Sequence, residues 1–358
     1  MNILAFESSC DETAAAVVSA DKDGFTVKSN IVASQIETHR LYGGVVPEIA
    51  SRAHAEAISG ITYEALAEAK LSVNEIDLVA VTSNPGLIGA LLVGVNFAKG
   101  LAFSKGIPLV AVDHIKGHIA ANYLGKDKPE FPFIALVSSG GHTSVYKVNS
   151  PLDIKIIGAT RDDAIGESFD KIGRIIGIPY PAGRGFDELA REGFIEATGD
   201  ENNFYSKYKK SEAYKSGEIT LPSPALSDGT LDFSFSGLKT AAINLINRYK
   251  LLARPLPRAL FAARYTFEAV EAVAKQLSRA IAAHPDCRAI SISGGVAANS
   301  HLRRRISEIA EGAKIKTYIP PLSLCGDNAA MIAAAAYFEY QNGNLAKASL
   351  NASAQDSI

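Results

Sequence analysis

The most constraining feature of this 358-residue sequence is a motif that occurs twice, 130 residues apart. Residues 3–18 contain an apolar run, two serines, a polar turn and a second apolar run, and residues 133–148 repeat that order. Small polar residues at a β-hairpin turn allow a ligand's oxygens to approach backbone N–H groups. The duplication predicts two related lobes that face one cleft, although two unrelated ordinary hairpins would give the same pattern. The matching pairs are Ala5 and Ala135, Ser8 and Ser138, Ser9 and Ser139, Thr13 and Thr143, and Val18 and Val148.

Composition narrows the class of protein. With 47% hydrophobic and 21% charged residues, the chain can bury a large core. The net charge of −2 provides no overall field that attracts nucleic acid, so any RNA contact requires a local patch or a partner. Cys10, Cys287 and Cys325 lack the spacing of a disulfide framework or a CxxC metal site, which is typical of reduced thiols in the cytosol.

The order of the predicted elements indicates an α/β fold. Met1–Phe6 resembles a first strand and not a signal peptide, and the longest apolar stretch, residues 86–95, is shorter than the roughly 20 residues of a membrane span. We therefore expect a cytoplasmic protein without membrane contact. Strands are predicted at 78–83, 109–112 and 289–293, and helices at 47–70, from Pro85, at 260–283 and at about 299–312. The tail after Tyr340 is polar and is expected to be loosely held.

His114 and His118 are the first candidates for chemistry. On a helix they lie one turn apart on the same face and can share a metal ion, although such pairs are more often surface or core residues. Ile115 stands where a zinc protease has its glutamate, which disfavours that chemistry. Asp327 is the best third ligand because it precedes a small-residue helix, where the alternative is an ordinary N-cap.

Two glycine-rich turns and a set of carboxylates complete the candidates. Residues 138–141 and 293–295 each follow a predicted strand, so their N–H groups can hold a phosphate or carboxylate, or can simply form tight connections. Several acidic residues stand among glycines near residues 180–183, where loops can wrap a ligand, although most surface carboxylates are only solvated. These residues are Asp11, Glu12, Asp162, Asp163, Glu167, Asp170 and Asp187.

Taken in order, the motifs of the chain resemble those of the TsaD family, the tRNA N6-adenosine threonylcarbamoyltransferases. The resemblance runs from about residue 3 to about residue 340. It implies a two-lobed α/β fold like that of actin, sugar kinases and heat-shock chaperone ATPases. The motifs that carry it are Tyr42–His54, His114 with His118, Ser139–Thr143, Ser234–Thr240, Gly294–Asn299 and Asp327–Met331.

The resemblance implies a particular transfer reaction. The family moves a threonylcarbamoyl group from threonylcarbamoyl-adenylate to N6 of the adenosine 3′ of the anticodon, in tRNAs that read codons beginning with A, and releases AMP. His114, His118 and Asp327 would hold one divalent metal ion, iron(II) or zinc. Asp11 and Glu12, at the first hairpin turn, are the candidates for taking up the proton. The implied substrate-binding residues are Val137, Ser138, Ser139, Gly140, Gly141, Asp170, Gly183, Asp187 and Asn299.

The resemblance also implies partners and lobe boundaries. The partners are tRNA, a paralogous TsaB-type subunit and a TsaE-type ATPase. Residues 1–113 with 325–345 would form one lobe, 114–324 the other, and 346–358 a polar tail. Arg303, Arg304 and Arg305, with His301, form the best local basic cluster for tRNA phosphates, and a solvated helix face is the alternative.

The chain departs from the family pattern at three positions near the expected site. Ala182 and Arg184 replace a glycine and a proline, and Gly326 replaces a threonine. Two other functions remain open: a kinase or ATPase of the same superfamily, which needs no histidine pair, and a non-catalytic scaffold, which would lack the metal ligands.

Overall fold

The computed structural model of the chain describes residues 1–224, 226 and 228–355. Within them lie two five-stranded mixed sheets, of order β3-β2-β1-β4-β5 and β10-β9-β6-β7-β8. The first sheet contains β1 (Asn2–Glu7), β2 (Glu12–Ala20), β3 (Phe25–Ser34), β4 (Leu78–Asn84) and β5 (Leu109–Asp113). The second contains β6 (Phe133–Ser138), β7 (Thr143–Val148), β8 (Ile154–Ala159), β9 (Ala289–Ser293) and β10 (Lys316–Tyr318).

The two sheets are built in the same way, which confirms the predicted duplication. In each, three antiparallel strands are followed by two strands parallel to the first. Ile3 pairs with Val18, and Phe133, 130 positions after Ile3, pairs with Val148. The sequence repeat therefore reproduces the hairpin register as well as the strand order. This is the two-lobed α/β architecture that the sequence predicts.

The helices cover the sheets. They are α1 (Ile36–Arg40), α2 (Pro47–Ala69), α3 (Ile88–Lys105), α4 (His114–Ala120), α5 (Ile165–Ile175), α6 (Gly183–Thr198), α7 (Phe204–Tyr208), α8 (Glu212–Lys215), α9 (Ser236–Leu251), α10 (Arg258–Ala283), α11 (Ser300–Ala313) and α12 (Ala329–Gln341). Short 3₁₀ turns lie at Val73–Glu75, Ala121–Tyr123, Gly295–Ala298 and Leu322–Leu324.

Alternate residues of the strands enter different core layers. On the first sheet, Leu4 and Phe6 face the layer that α2 and α3 cover, whereas Ile3 and Ala5 face a central layer that contains α4 and α12. The second sheet contributes Phe133 to the same central layer, and its other face packs against α5, α6, α9, α10 and α11. Helices α4 and α12 therefore lie between the sheets. The proposed lobe boundaries at 113/114 and 324/325 stay a prediction.

Helices α4 and α12 are in close contact at Gly117. A Cβ atom added there would lie 2.6 Å from Cδ1 of Ile332 and 3.4 Å from Cγ of Met331. The alanines of α12, such as Ala333 and Ala334, are fully buried. Small side chains on both helices therefore permit a contact that larger residues would prevent.

Some local predictions differ from the structure. Helix α3 begins at Ile88 and not at Pro85, because the N–H of Leu87 donates to the carbonyl of Ser9 (2.8 Å) and residues 85–87 form a turn. The sequence analysis does not predict the edge strands β3, β8 and β10.

The expectation of a loosely held tail is wrong for residues 346–353. Three hydrogen bonds hold this segment: Ala346 N to Leu109 O (2.7 Å), Lys99 Nζ to Leu350 O (2.8 Å) and Ser353 N to Ser83 O (2.9 Å). Ala346, Leu350 and Ala352 also pack against the layer of α3. The tail therefore runs along the β5 edge of the first sheet.

Helix α3 is long and apolar enough, by length and composition alone, to cross a membrane. Core helices pass the same test, and the inner residues of α3, including Leu91, Val95 and Ala98, are fully buried against the first sheet. This finding is weak support for a membrane span.

We expect Gly117→Leu to destabilise the protein by about 1–3 kcal/mol, because the added side chain overpacks the contact between α4 and α12. Gly60→Leu on α2 is the control, since Gly60 is exposed and a Cβ there meets nothing within 4 Å. Urea unfolding of both variants measures the change. Equal stability of the two variants would contradict the close contact.

Candidate active site

The predicted metal ligands come together where α4 and α12 begin. His114 and His118 lie one turn apart with ring centroids 4.6 Å apart, and one ligand atom from each histidine and from Asp327 lies within 4.8 Å of the others. Nε2 of His118 is 3.2 Å and Nε2 of His114 is 3.5 Å from Oδ1 of Asp327. The chain thus assembles two imidazoles and one carboxylate from positions 213 residues apart.

The residues next to His114 and Asp327 cap the two helices, so the side chains of His114 and Asp327 are not used as caps. Asp113 caps α4 by accepting from the N–H of Ile115 (2.8 Å). Asn328 caps α12 by accepting from the N–H of Met331 (3.0 Å). The alternative that Asp327 is an ordinary N-cap is therefore wrong, because the next residue has that role.

The donor set fits a divalent metal ion. His118 is fully buried, and neither of its ring nitrogens has a hydrogen-bond partner among the described residues. Its Nε2 is near Asp327, but the geometry is not that of an N–H···O hydrogen bond. Buried imidazole nitrogens without partners are costly, and two histidines with one carboxylate are a common ligand set for zinc and iron. These three residues could therefore hold one metal ion.

Glu7 accepts a hydrogen bond from His114 and so holds this ligand in position. The sequence analysis did not identify Glu7. Its Oε2 accepts from Nδ1 of His114 (2.9 Å) and from the hydroxyl of Thr82 (2.6 Å), and Oε1 accepts from the N–H of Ser9 (2.5 Å). The side chain is fully buried. A carboxylate that binds Nδ1–H fixes the tautomer in which Nε2 is free to coordinate a metal.

The electrostatics of the group favour a positive charge. Burial would lower the pKa of His114, but Glu7 and Asp327 outweigh it and raise the pKa to about 9. Burial likewise raises the pKa of Asp327, yet His114 and His118 bring it well below its usual range. The carboxylates of Glu7 and Asp327 therefore lie close together with few positive charges nearby. A proton or a bound metal ion balances their negative charge.

The first hairpin turn places two further carboxylates near this group. Asp11 accepts from the hydroxyl of Tyr180 (3.2 Å). Burial, together with the charges of Asp327, Asp11 and Glu7, raises the pKa of Glu12 to about 8. The Glu12 carboxyl also lies near Gly326, since a Cβ at Gly326 would be 3.9 Å from its Oε2. Glu12 is therefore an unusually basic carboxylate.

His54 holds this turn in place. Its Nδ1 is 2.8 Å from the hydroxyl of Thr13 and its Nε2 is 2.9 Å from the carbonyl of Cys10. Because the carbonyl can only accept, Nε2 carries the proton and the Thr13 hydroxyl donates to Nδ1. The histidine therefore clamps the turn on both sides of Asp11 and Glu12. Its place in the motif Tyr42–His54 was a sequence clue, but its partner was not predictable.

The two glycine-rich turns lie against each other. Gly294 has φ +89°, and a Cβ there would lie 2.3 Å from the carbonyl oxygen of Ser138. In the other turn, the N–H of Ser139 donates to the carbonyl of His142 (2.8 Å), while Gly140 and Gly141 face open space. The charge of His142 contributes to the lowered pKa of Asp327, so the second hairpin turn is also near the ligand group.

The remaining predicted ligand contacts occupy the second lobe. Asp170 on α5 accepts from the N–H of Ala182 (2.7 Å), and burial raises its pKa to about 6. Asn299 caps α11 by accepting from Leu302 N (2.8 Å), and Asp187 accepts from Ser300 N (3.0 Å). Asp187 and Asn299 therefore meet at the α11 N-terminus, and Gly183 begins α6 beside the partner of Asp170. Val137 is buried in β6.

Three carboxylates of the predicted acidic set serve other contacts. Asp162 accepts from Ser234, Phe235 and Ser236. Asp163 pairs with Lys171 and Lys239, and Glu167 pairs with Lys171. Asp162 and Asp163 therefore anchor the start of α9, which explains the motif Ser234–Thr240 as a structural contact.

The basic cluster on α11 is also engaged within the chain. Arg303 binds the Ala297 carbonyl, Arg304 binds the Asn202 carbonyl, and Arg305 pairs with Glu271. His301 is buried. The cluster therefore does not present a row of free cations to phosphates.

The residues that depart from the family pattern are accommodated locally. Ala182 is buried against Gly173, where an added Cβ would lie 2.3 Å from the Ala182 Cβ. Arg184 is 91% exposed and pairs with Glu188 on the same helix. These substitutions leave the predicted metal ligands where they are.

The sequence of the chain is similar, over most of its length, to that of one known protein family. The sequence model of the TsaD family, "tRNA N6-adenosine threonylcarbamoyltransferase", matches residues 26–334. The protein of that name from Moorella thermoacetica is 46% identical over 98% of this chain and 95% of its own length. A Clostridium botulinum protein of the same name is 45% identical over 98% of this chain and 96% of its own length.

A solved structure shows the same fold. The activator of the 2-hydroxyisocaproyl-CoA dehydratase from Clostridium difficile, with bound ADPNP, has a TM-score of 0.51 at 14% identity. The match covers 96% of this chain and 97% of the activator. The fold is therefore the two-lobed one shared by actin, sugar kinases and heat-shock chaperone ATPases.

We expect Glu7→Gln to weaken metal binding by roughly 10- to 100-fold, because the variant loses the carboxylate that orients His114 and makes it more basic. Titration of the metal-free protein with Zn²⁺ against a chelating indicator measures the affinity. The control is Glu48→Gln, since Glu48 is exposed and, within the described part of the chain, forms an ion pair only with Arg52 on α2. An unchanged affinity of Glu7→Gln would show that His114 does not need this support.

Proposed function

Since the chain belongs to the family of tRNA N6-adenosine threonylcarbamoyltransferases, we infer that its cleft transfers a threonylcarbamoyl group to N6 of an adenosine in tRNA. The observation that carries this conclusion is the full-length similarity to proteins of that name, together with the His114, His118 and Asp327 group. We propose that the donor is threonylcarbamoyl-adenylate and the acceptor is the adenosine 3′ of the anticodon in tRNAs that read codons beginning with A.

In this reaction the N6 lone pair attacks the carbamoyl carbon, the bond from that carbon to the phosphate oxygen breaks, and AMP leaves with the electron pair. The adenine amine is a poor nucleophile because its lone pair is delocalised into the ring. Positioning of the two substrates must therefore provide much of the acceleration. We propose that the substrates bind between the lobes, which is supported by the nearness of both hairpin turns to the ligand group.

We propose that one divalent ion, iron(II) or zinc, is held by His114, His118 and Asp327. When bound, such an ion supplies a Lewis acid that orients the threonylcarbamoyl group and polarises its carbonyl. Glu7 keeps the His114 ring in the ligating orientation through the Nδ1 contact. The buried position of His118 keeps water from competing for its nitrogens.

Backbone and side-chain groups of the second lobe are proposed to bind the adenylate. The N–H groups of Gly140 and Gly141 are proposed to bind phosphate oxygens, which stabilises charge on the leaving AMP. Asn299 is proposed to contact the adenylate from the α11 N-terminus, where Asp187 and Asn299 already accept from Ser300 N and Leu302 N. The open space at Gly140 and Gly141 supports this, because a phosphate can approach the backbone there. Asp170, Gly183 and Asp187 are proposed to contact the rest of the adenylate.

Glu12 is proposed as the group that accepts the N6 proton, and Asp11 as a residue that positions the turn. The pKa of Glu12, raised to about 8, makes it a better proton acceptor than an ordinary carboxylate. Asp11 is held by Tyr180 and has less freedom to reach a substrate.

The proposed partners are tRNA, a paralogous TsaB-type subunit and a TsaE-type ATPase, and the proposed location is the cytoplasm. The paired arginines of α11 do not favour a large basic surface on this chain alone. A partner that contributes to tRNA binding fits the net charge of −2.

We expect the purified chain, supplied with its partners, adenylate and tRNA, to form threonylcarbamoyl-adenosine. Mass spectrometry of tRNA nucleosides measures the product, and His114→Ala should abolish both bound metal and product, because it removes a ligand. Steady ATP turnover by the chain alone, with no modified nucleoside and no effect of chelators, would instead indicate a kinase or ATPase.

We expect Glu12→Gln to lower kcat about 100-fold or more with a small change in KM, because the variant cannot accept a proton. The wild-type rate should rise with pH through the neutral range, since a raised pKa leaves Glu12 partly protonated there, and the variant should lose this dependence. Asp11→Asn is the matched control and should keep a rate that rises with pH, with the rise shifted to lower pH because the repulsion between Asp11 and Glu12 is lost. A wild-type pH profile in Glu12→Gln would exclude Glu12 as the base.

A further inference from the structure

We propose that the loop of residues 41–46, between α1 and α2, contacts a nucleobase of the tRNA anticodon loop, with Tyr42 as the stacking residue. The proposal rests on the proposed function, because it assigns a contact to the RNA substrate of that reaction. The loop contains the first residues of the motif Tyr42–His54. His54, at the buried end of this motif, holds the first hairpin turn, whereas the exposed end with Tyr42 has no contact, among the residues that the structure describes, that explains it.

The loop presents apolar side chains to solvent although it is well anchored. Leu41 is 83% and Tyr42 is 58% exposed. Beneath them, the buried His39 holds the loop: its carbonyl accepts from the N–H groups of Tyr42 (3.0 Å) and Gly44 (3.3 Å), and its Nδ1 accepts from Val46 N (3.3 Å). Neighbouring exposed apolar residues on an ordered loop indicate a binding surface.

The same loop reaches across to the second lobe beside the candidate active site. Nε of Arg40 donates to the carbonyl of Tyr180 (3.1 Å), and Nη1 of Arg174 on α5 donates to the carbonyl of Gly43 (3.3 Å). The hydroxyl of Tyr180 in turn donates to Asp11 (3.2 Å). Tyr180 therefore links the base of the loop, at Arg40, to the hairpin turn that carries Asp11 and the proposed proton acceptor Glu12.

The chemistry of the loop suits single-stranded RNA. Unpaired bases are bound by stacking on aromatic rings, and arginines beside the ring attract the phosphates. Arg174 is exposed and forms no ion pair among the described residues, and Arg40 pairs only with the exposed Glu37, a contact that phosphate can replace. An adenosine that reacts at N6 must also leave the base stack, which requires a surface that receives it or replaces it.

The absence of tryptophan from the sequence permits a direct test. Tyr42→Trp introduces a single indole, and we expect an unmodified tRNA that contains the target adenosine to quench its fluorescence, because bases stack on it. The same substitution at Tyr63, which is 76% exposed on α2, is the matched control and should not respond. Far-UV circular dichroism verifies that both variants fold.

A kinetic experiment separates this contact from a general loss of structure. Tyr42→Ala should raise the KM for tRNA by about ten-fold or more, with an unchanged KM for the adenylate, whereas Tyr42→Phe keeps the ring and should behave as the wild type. Tyr63→Ala should leave both values unchanged.

Several outcomes would overturn the proposal. No quenching by tRNA from an enzyme that still turns over would do so, as would an equal rise in both KM values. Quenching by the paralogous partner protein but not by tRNA would assign the loop to a protein interface. If the wild-type enzyme forms no product at all, the proposed function fails, and the fluorescence response to tRNA still decides whether this loop binds RNA.

Discussion

The contact between α4 and α12 is the constraint on which the site depends. Both helices lie between the two sheets, and Gly117 meets Ile332 where a larger side chain would not fit. His118 follows Gly117 directly, and Asp327 stands two residues before α12. The spacing of the three ligand side chains is therefore set by the packing distance of two helices. The candidate metal site is therefore as rigid as the core, in contrast to sites that are built on loops.

The charges of the site are arranged in layers behind this contact. Glu7 is deepest and binds His114, Asp327 faces both histidines, and Glu12 and Asp11 lie at the turn above. Burial raises the pKa of Glu12, and repulsion from Asp327, Asp11 and Glu7 raises it further. Together these carboxylates favour the binding of a positive charge in a buried place. One bound divalent ion would supply this positive charge. It would also weaken the repulsion on Glu12, so metal binding and the basicity of the proposed proton acceptor are linked.

Much of the architecture was predictable from the sequence because the two copies of the repeat form hairpins with the same strand register. The offset that aligns Ser8 with Ser138 also aligns the pairs Ile3–Val18 and Phe133–Val148. The edge strand β3 was not predicted, since its residues are largely polar or exposed and its stability comes from pairing with β2. Of the site, the metal ligands were proposed from spacing and resemblance. The support by Glu7 and His54 was not, because each partner lies more than 40 residues away in sequence and only the tertiary fold brings it near.

The position of α12 has a consequence for synthesis of the chain. The first sheet is complete in sequence by residue 113, but one of its faces packs against a helix that begins at Ala329. During translation this apolar face lacks the part of its cover that α12 provides until nearly the whole chain has left the ribosome. Asp327 arrives with the same helix, so the nascent protein cannot assemble its full ligand set early. Chains truncated before residue 327 would expose this face of the sheet and lack the carboxylate, which makes such incomplete products both inactive and prone to aggregate.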